Sequence, residues 1–296
     1  LPEGWSLMQW VNEEIQAESP TKITIAEDLR GNEWLVKDTG AGGAGFGSQW
    51  DSEFVHPIRT AIITNDDAFR DLEAVCTALK YQYDGDAFKR VVYTESHDEV
   101  ANGKARVTEE IWPGNSLHWF AKKRSTLGAA LVFTAPGIPM IFQGQEFLED
   151  KWFTDQDPLD WQRAQELAGF VQLYRDLIHL RRNRDGYSKG LTGQFVDTYH
   201  VDHDKKLLAF HRWAEGGAGD SVVVILNFSN TMLQDYQINF PAAGEWKLRF
   251  DSHYGGYDAS FEGQVSGDVT AVASDEDSGY QAQIAVAPYS AIIYSQ

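Results

Sequence analysis

Four short runs of β-favouring residues alternate with helical segments through the first 185 residues, and each run ends close to a carboxylate. The runs are Lys22–Ala26, Phe46–Trp50, Val91–Thr94 and Ile138–Phe142. Strands that alternate with helices form parallel α/β sheets, in which the C-terminal strand ends meet on one face. Apolar periodicity predicts the helices over residues 1–17, 54–62, 67–83, 116–133 and 161–184. The first 185 residues therefore predict a parallel sheet whose functional face is made by the loops that follow its strands.

The pattern changes after Gly186 to short strands separated by turn residues. An all-β unit of this kind, about a hundred residues long, is typical of a β-sandwich. We therefore expect an α/β domain that carries the functional face over residues 1–185, a C-terminal β-sandwich over residues 186–296, and a linker near residues 185–205. The predicted strands are 207–213, 222–228, 236–240, 246–250, 280–287 and 291–294.

The charge balance excludes two classes of partner. Twenty-five basic and forty-four acidic residues give a formal net charge of -19. Such a chain repels nucleic-acid backbones and anionic membrane surfaces, so we expect neither as a partner. Ten Trp and twelve Tyr residues offer flat amphipathic rings that suit neutral polar ligands such as sugars, although most aromatic residues in proteins belong to the core.

The single cysteine, Cys76, lies on an apolar helical stripe and is predicted to be a buried structural thiol. One cysteine cannot form a disulfide within the chain, which fits a reducing compartment. No apolar run is long enough to span a bilayer. We expect a cytoplasmic protein, or a plastid protein if the source is a plant.

The densest cluster of ionisable groups follows the third strand, in Glu95–Lys104. Two or three carboxyl groups facing each other across a pocket are what glycoside chemistry requires, because one must protonate the leaving oxygen while another attacks or stabilises the cationic sugar. His97 beside Asp98 would add a hydrogen-bond donor for sugar hydroxyls. This chemistry needs no metal or other cofactor, and we expect neither, since no second His or Cys stands at ligand spacing.

Two alternatives apply to the same residues. A carboxylate after a strand is often a helix N-cap, and Asp28 or Asp98 taken alone would more often be a cap than a catalyst. The glycine-rich segment 39–47 lacks both the Lys-Ser/Thr pair and the helix-opening glycine pattern of phosphate-binding loops, so it is predicted to be a mobile loop.

Two segments, Ile25–Asp28 (IAED) and Glu95–Val100 (ESHDEV), resemble the third and fourth signature segments of the α-amylase superfamily of glycoside hydrolases and transglycosylases. More narrowly, the chain resembles the 1,4-α-glucan branching enzymes. That resemblance is carried by SHDEV followed by Gly103-Lys104, GGAGFG leading to Trp50, QGQEF at residues 143–147 and DPLDW at residues 157–161.

The resemblance implies a role for six residues. Glu27 would be the general acid and base, and Asp98 would be the carboxylate that stabilises the transition state. His97 would bind the same sugar, while Trp50, Gln143 and Glu146 would line the substrate pocket. The implied substrate is an α-1,4-glucan such as glycogen, amylose or amylopectin.

The resemblance also implies that strands five to eight of a (β/α)8 TIM-type barrel are present, followed by the C-terminal β-sandwich. The family's nucleophile, an Asp on the fourth barrel strand, would then lie in the remainder of the barrel, supplied by the same polypeptide or another chain. We expect this chain alone to be inactive. The segment Trp50–Pro57 departs from the branching-enzyme pattern, so the family's acceptor contacts are not carried over to it. Two alternatives stay open: an α-amylase-type hydrolase, because acceptor choice depends on pocket shape and water exclusion, and a noncatalytic α-glucan-binding module that never had the nucleophile.

Overall fold

The computed structural model describes residues 2–101, 104–217, 219–263, 265–274 and 279–296; Leu1 of the predicted first helix and Gly103 of the SHDEV segment lie outside these ranges. The helices are α1 Pro2–Glu18, α2 Ser52–Ile63, α3 Leu72–Lys80, α4 His97–Val100, α5 Val107–Ile111, α6 Trp119–Thr134, α7 Trp161–Glu166 and α8 Ala168–Arg181. The strands are β1 Ile25–Ala26, β2 Ser48–Trp50, β3 Arg90–Val92, β4 Ile138–Pro139, β5 Phe195–Asp202, β6 Leu207–Trp213, β7 Val222–Asn227, β8 Leu233–Phe240, β9 Gly244–Asp251, β10 Val269–Ala273, β11 Tyr280–Val286 and β12 Ser290–Ser295.

Strands β1 to β4 form the predicted parallel sheet, in the order β1-β2-β3-β4. Ala26 pairs with Gln49, Trp50 with Val91, and Val92 with Pro139. Parallel strands that neighbour one another in chain order are the arrangement of a barrel wall. Among the described strands, β1 and β4 each pair on one side only, so this sheet is open at both edges.

The connection from β1 to β2 contains 3-10 turns at residues 33–35 and 39–41 and no longer helix. Helix α1 packs over it through side-chain bonds to backbone carbonyls, from Gln9 to Gly43 at 2.8 Å and from Asn12 to Ala44 at 2.7 Å. A Cβ at Gly43 would overlap the Lys37 carbonyl. The glycine-rich segment is thus a closely packed crossover, and glycine is required at position 43 for that approach.

The prediction of one long helix over residues 161–184 is wrong in one respect, because the structure divides it into α7 and α8 at Leu167. Helix α8 resumes with Gly169 pressed against the backbone of Tyr257, where any Cβ would overlap the Tyr257 carbonyl. Periodicity cannot reveal this contact, because its partner lies almost ninety residues away in the sequence.

The C-terminal unit is all-β, as predicted. Its eight strands form one antiparallel sheet in the order β5-β6-β7-β12-β9-β10-β11-β8. Strands from both ends of this order contribute to one apolar core, for example Leu207 of β6, Trp246 of β9 and Ile284 of β11. The sheet therefore curls over its own core. Strands β5 and β10 were not predicted, and β5 lies within the segment expected to be a linker.

The two edge strands of the curled sheet, β5 and β8, meet through side chains. The Tyr236 hydroxyl on β8 lies 2.8 Å from His200 Nε2 and donates to Asp202 Oδ2 at 2.8 Å, both on β5. Burial raises the pKa of Tyr236, and the bonded Asp202 carboxylate adds to this effect. The sheet closes here by a seam of side-chain hydrogen bonds.

The other face of β6, β7 and β12 packs on the helices. Phe210, Val224 and Ile293 share one apolar core with residues of α6 and α8, among them Leu131 and Leu177. Alternate residues of these strands thus face two different cores, which explains why β7 and β12 are buried along their whole length. No helix in the described ranges is long and apolar enough to cross a membrane.

Candidate active site

The loops after β1 and β3 bring three of the predicted residues together. His97 Nε2 lies 3.3 Å from Glu27 Oε1 and 3.5 Å from Asp98 Oδ1. The three side chains are each between 42% and 50% exposed, so a ligand can reach all of them. Two carboxylates from different strands therefore approach one imidazole nitrogen on an open face of the sheet.

The short helix α4 sets the direction of His97 and Asp98. Its N-cap is Ser96, whose hydroxyl accepts a hydrogen bond from the Glu99 backbone amide at 3.2 Å. The N-cap is therefore Ser96, and the Asp98 carboxylate does not cap the helix. The N-cap alternative does hold at Asp51, which caps α2 through the Glu53 amide.

The other two carboxylates of the ESHDEV segment, Glu95 and Glu99, are buried. Glu95 accepts from Arg106 Nη1 at 3.1 Å and from the Val107 amide at 2.7 Å. Arg106 also donates to the Gln143 carbonyl at 3.0 Å, which ties the β3 loop to the β4 loop. Glu95 is thus a structural anchor for the loop that carries His97 and Asp98.

Arg59 of α2 holds the same loop at both ends. Its guanidinium donates to the Thr94 carbonyl at 2.8 Å and to the Glu99 carbonyl at 3.2 Å, and it also bonds the Ala105 carbonyl. It pairs with Glu110 at 3.1 Å. Sequence analysis missed Arg59 because its partners lie 35 to 46 residues further along the chain.

Aromatic rings line the site. Trp50 contacts His97 edge-on with ring centroids 5.8 Å apart, and Phe153 approaches the same imidazole at 6.4 Å. Tyr93 lies 5.3 Å from Trp50, and its buried hydroxyl has no hydrogen-bond partner in the described part of the chain. Burial raises the pKa of Tyr93. Flat rings around polar groups are what a sugar-binding pocket requires.

Gln143 and Glu146, both predicted to line the pocket, differ in placement. Gln143 borders a groove together with Phe153, in the loop that Arg106 ties down. Among the described residues, no contact joins Glu146 to the Glu27–His97–Asp98 cluster, and one of its carboxylate oxygens is buried without a partner. Burial raises the pKa of Tyr174 in α8, and the charge of Glu146 adds to this effect. Gln145, which was not predicted, instead bonds Thr94 at 2.7 Å.

A buried ion pair stabilises the sheet beneath the site. Arg90 Nη1 lies 3.1 Å from Asp51 Oδ2, and the same guanidinium donates to the Ala78 carbonyl at 2.7 Å and to the Pro136 carbonyl at 2.8 Å. Burial raises the pKa of Asp51, and Arg90 opposes that shift. The pair links β2, the end of α3, β3 and the start of β4, and it has no access to substrate.

The ligand atoms of Glu27, His97 and Asp98 lie within 4.8 Å of one another, so together they could hold a cation. It is the one such cluster found in the described ranges. The prediction of no metal rested on the spacing of His and Cys residues along the chain. Such spacing does not reveal ligands that folding brings together from separate strands. The absence of a metal therefore stays a prediction.

Comparison with known proteins agrees with this fold. Residues 199–296 match the family model described as "Alpha amylase, C-terminal all-beta domain". The chain is 28% identical over 273 residues to "1,4-alpha-glucan branching enzyme GlgB" of Rhodopseudomonas palustris (strain BisA53), with 89% of this chain and 37% of that protein covered. Residues 199–296 thus match an α-amylase family model, and most of the chain is similar to enzymes of the α-amylase superfamily. The resemblance of its signature segments to this superfamily is thereby confirmed.

A second relative in the superfamily is "1,4-alpha-glucan branching enzyme GlgB" of Pseudomonas fluorescens (strain Pf0-1), 26% identical, with 98% of this chain and 39% of that protein covered. The chain thus spans less than two fifths of the length of these relatives. Two solved structures share the fold. They are a pullulanase from Anoxybacillus sp. LM18-11 complexed with maltotetraose (TM-score 0.65, 18% identity, 98% of this chain and 41% of that chain) and an α-amylase from H. orenii (TM-score 0.65, 14% identity, 100% and 57%).

Proposed function

We propose that this chain supplies the acid/base side of the active site of a 1,4-α-glucan branching enzyme. The convergence of Glu27 and Asp98 on His97 carries the proposal, because it places two carboxylates from separate strands on one accessible face. The names of the relatives in R. palustris and P. fluorescens support the substrate class.

In this proposal Glu27 protonates the oxygen of an α-1,4 linkage while the bond from that oxygen to the anomeric carbon breaks. A nucleophilic carboxylate takes up the anomeric carbon as a glycosyl ester, with inversion. Glu27 then accepts the proton of a glucan 6-hydroxyl as that oxygen attacks the ester carbon, which forms an α-1,6 linkage with overall retention. Asp98 and His97 hold hydroxyls of the same sugar and stabilise its positive charge in the transition state.

The nucleophile is proposed to come from the remainder of a (β/α)8 barrel. Two features support this. The described parallel sheet has four strands and two open edges, whereas a closed barrel of this type has eight strands. In the described ranges two carboxylates cluster with His97, Glu27 and Asp98, and this proposal already gives a role to each of them. We therefore expect residues 1–296 alone to show no turnover of amylose.

The proposal is tested by changing Glu27→Gln in the enzyme that contains this chain and the rest of the barrel. Loss of a general acid costs about 10²–10⁴-fold in rate. Branching is measured as a fall in the iodine absorbance of amylose without a matching rise in reducing ends. Glu3→Gln, an exposed carboxylate on α1, is the matched control and should retain full activity. Full activity in Glu27→Gln would rule the role out.

A hydrolase of the same superfamily is the second candidate, favoured by the fold shared with a pullulanase and an α-amylase. The two reactions differ in whether water or a sugar hydroxyl opens the glycosyl ester. Release of reducing ends in proportion to the iodine change would support the hydrolase. A noncatalytic glucan-binding module would bind malto-oligosaccharides while the complete protein shows no turnover at all.

A further inference from the structure

A second cavity lies where the helices meet the C-terminal sheet, and none of the proposed catalytic residues lines it. Its volume is about 590 Å³, within the range of roughly 300–1,000 Å³ that is typical of small-ligand sites. The walls come from the ends of α2 and α5, the start of α6, and the β-domain residues Asn230 and Tyr289. It is therefore built by both units of the chain.

Trp112 forms an aromatic platform at the edge of this cavity. Its indole lies 3.5 Å from the His118 ring with an interplanar angle of 3°, and Phe120 continues the stack at 5.9 Å from Trp112. Trp112 nevertheless remains 40% exposed. His118 and Phe120 hold the indole in place, and its exposed 40% is the surface that a ligand can reach.

Arg124 makes the cavity rigid. This residue is 3% exposed, and its guanidinium donates to the carbonyls of Thr64 at 2.5 Å and Ile111 at 3.4 Å. Those carbonyls belong to the ends of α2 and α5, and both ends contribute to the cavity wall, through Asn65 next to Thr64 and through Ile111. Arg124 Nε is buried and has no partner within the described ranges. One arginine thus fixes both ends in advance, which lowers the entropy cost of binding.

The rim is polar and acidic. Asn65, Asp66 and Asn230 line the cavity with exposed side chains. Asp66 uses Oδ1 to cap the turn at residues 67–69 through the Ala68 amide, while Asp67 is already engaged by the Tyr289 hydroxyl at 2.7 Å and the Asn230 amide at 2.8 Å. Carboxylate and amide groups above an open indole suit a ligand with many hydroxyls and an apolar ring face.

We propose that the Trp112 cavity is a second saccharide-binding site, which takes a short stretch of neutral glucan on the indole face. The platform supplies stacking, and the rim supplies acceptors and donors for hydroxyls. The choice of an α-1,4-linked glucan as ligand rests on the proposed function; the choice of a neutral saccharide rests on the cavity itself. An anionic ligand such as a nucleotide is disfavoured by Asp66 and by the net charge of -19.

The test titrates maltoheptaose into the chain and measures binding by calorimetry and by ¹H–¹⁵N NMR of the tryptophan side chains. Trp112→Ala should weaken binding at this site by about tenfold or more, as expected for an exposed aromatic anchor. Trp112→Phe retains a flat ring and should stay within about threefold of the wild type. Trp10→Ala, which removes a more exposed tryptophan on α1, is the control and should bind normally.

Asp98→Ala separates the two proposals, because it affects only the active-site cluster. If Trp112→Ala loses one class of site and Asp98→Ala loses another, both proposals stand. If Trp112→Ala binds like the wild type, or if adenosine 5′-monophosphate binds there and maltoheptaose does not, the second site is overturned and the proposed function is untouched. Asp66→Asn preserves the cap and should reduce the affinity for maltoheptaose without altering the melting temperature. This second variant tests the site even if Trp112→Ala has a folding defect.

Discussion

The imidazole of His97 is the point at which the loops of two strands meet. Its Nε2 atom is the one position that both Glu27 and Asp98 approach, and Trp50 and Phe153 restrict the ring from the sides. The ring therefore fixes the spacing of the two carboxylates before substrate arrives. Preorganised groups of this kind stabilise developing charge without reorganising during the reaction.

His97→Asn is accordingly expected to lower kcat of the complete enzyme by about 10²-fold, the size found when one preorganised donor is removed. KM should change much less, because the lost contact strengthens mainly in the transition state. Steady-state kinetics on amylose measures both constants. His179→Asn, on the exposed side of α8, should leave them unchanged. A mutant that raised only KM would assign His97 to ground-state binding.

Lys123 is a buried amine at the junction of the two units. Its ammonium lies 3.1 Å from His253 Nδ1, donates to Ser290 at 2.5 Å, and stands over the Phe261 ring at 4.6 Å. Burial lowers the pKa of Lys123 from 10.5 to about 7, partly offset by the charge of Asp251. Burial together with the Lys123 charge lowers the pKa of His253 to about 4.

The stability of the protein should therefore rise with pH above neutrality. Between pH 7 and 10.5 the unfolded chain holds a proton on Lys123 that the folded chain lacks, so the free energy of unfolding increases by up to about 1.4 kcal/mol per pH unit. Urea unfolding at pH 7, 8 and 9 measures this slope. Lys123→Met should flatten it, whereas Lys122→Met should not. Identical slopes in all three proteins would contradict the assignment.

At the scale of elements, α2 supports the loop that carries His97 and Asp98, through Arg59. Arg59 Nε also lies 3.6 Å from the buried Glu99 carboxylate. Arg59→Gln removes this pair and the bonds to the Thr94, Glu99 and Ala105 carbonyls, which leaves Glu99 with Lys104 as its charged partner. Loss of one partner from a buried ion pair costs about 3–5 kcal/mol. We expect a loss of stability near the lower figure and faster hydrogen exchange at residues 96–101. Arg175→Gln, on the exposed side of α8, is the control, and unchanged exchange in Arg59→Gln would exclude the support role.

The order of strands and helices could be predicted from the sequence because each element carries its own periodicity. Strand β5 could not be predicted, since each of its residues is exposed or half-buried and apolar and polar side chains are mixed along it, as in an edge strand. The break between α7 and α8 depends on Tyr257, and the loop anchors Arg59 and Arg106 depend on partners brought close by folding. Such long-range pairings leave no local pattern. Glu27, His97 and Asp98 were identified by resemblance; their placement together is a result of the structure, and their roles stay predictions.

At the scale of the whole molecule, the helices and the C-terminal sheet share one apolar core. Leu131 of α6 and Leu177 of α8 belong to the same cluster as Phe210, Val224 and Ile293. The Arg212 guanidinium, on β6, bonds the Thr134 carbonyl at the end of α6. The proposed boundary at residue 185 therefore separates stretches of sequence, while the buried surface is continuous across it.

Residues 2–296 should accordingly unfold in one cooperative transition. Differential scanning calorimetry should give a calorimetric enthalpy close to the van't Hoff enthalpy. The isolated segment 186–296 should be much less stable than it is within the chain, because Phe210, Val224 and Ile293 would face water. Two resolved transitions, or an isolated segment that keeps the melting temperature of the full chain, would show that the units are independent.

The seam between β5 and β8 gives the curled sheet a preferred direction of mechanical weakness. Strand β5 has a backbone partner on one side, β6, and meets β8 through Tyr236 with His200 and Asp202. A force that pulls β5 sideways would break the pairs with β6 one after another, as a zipper opens, whereas β12 is held between β7 and β9 and must shear all its bonds at once. Under load, the sheet should therefore open first at the tyrosine seam.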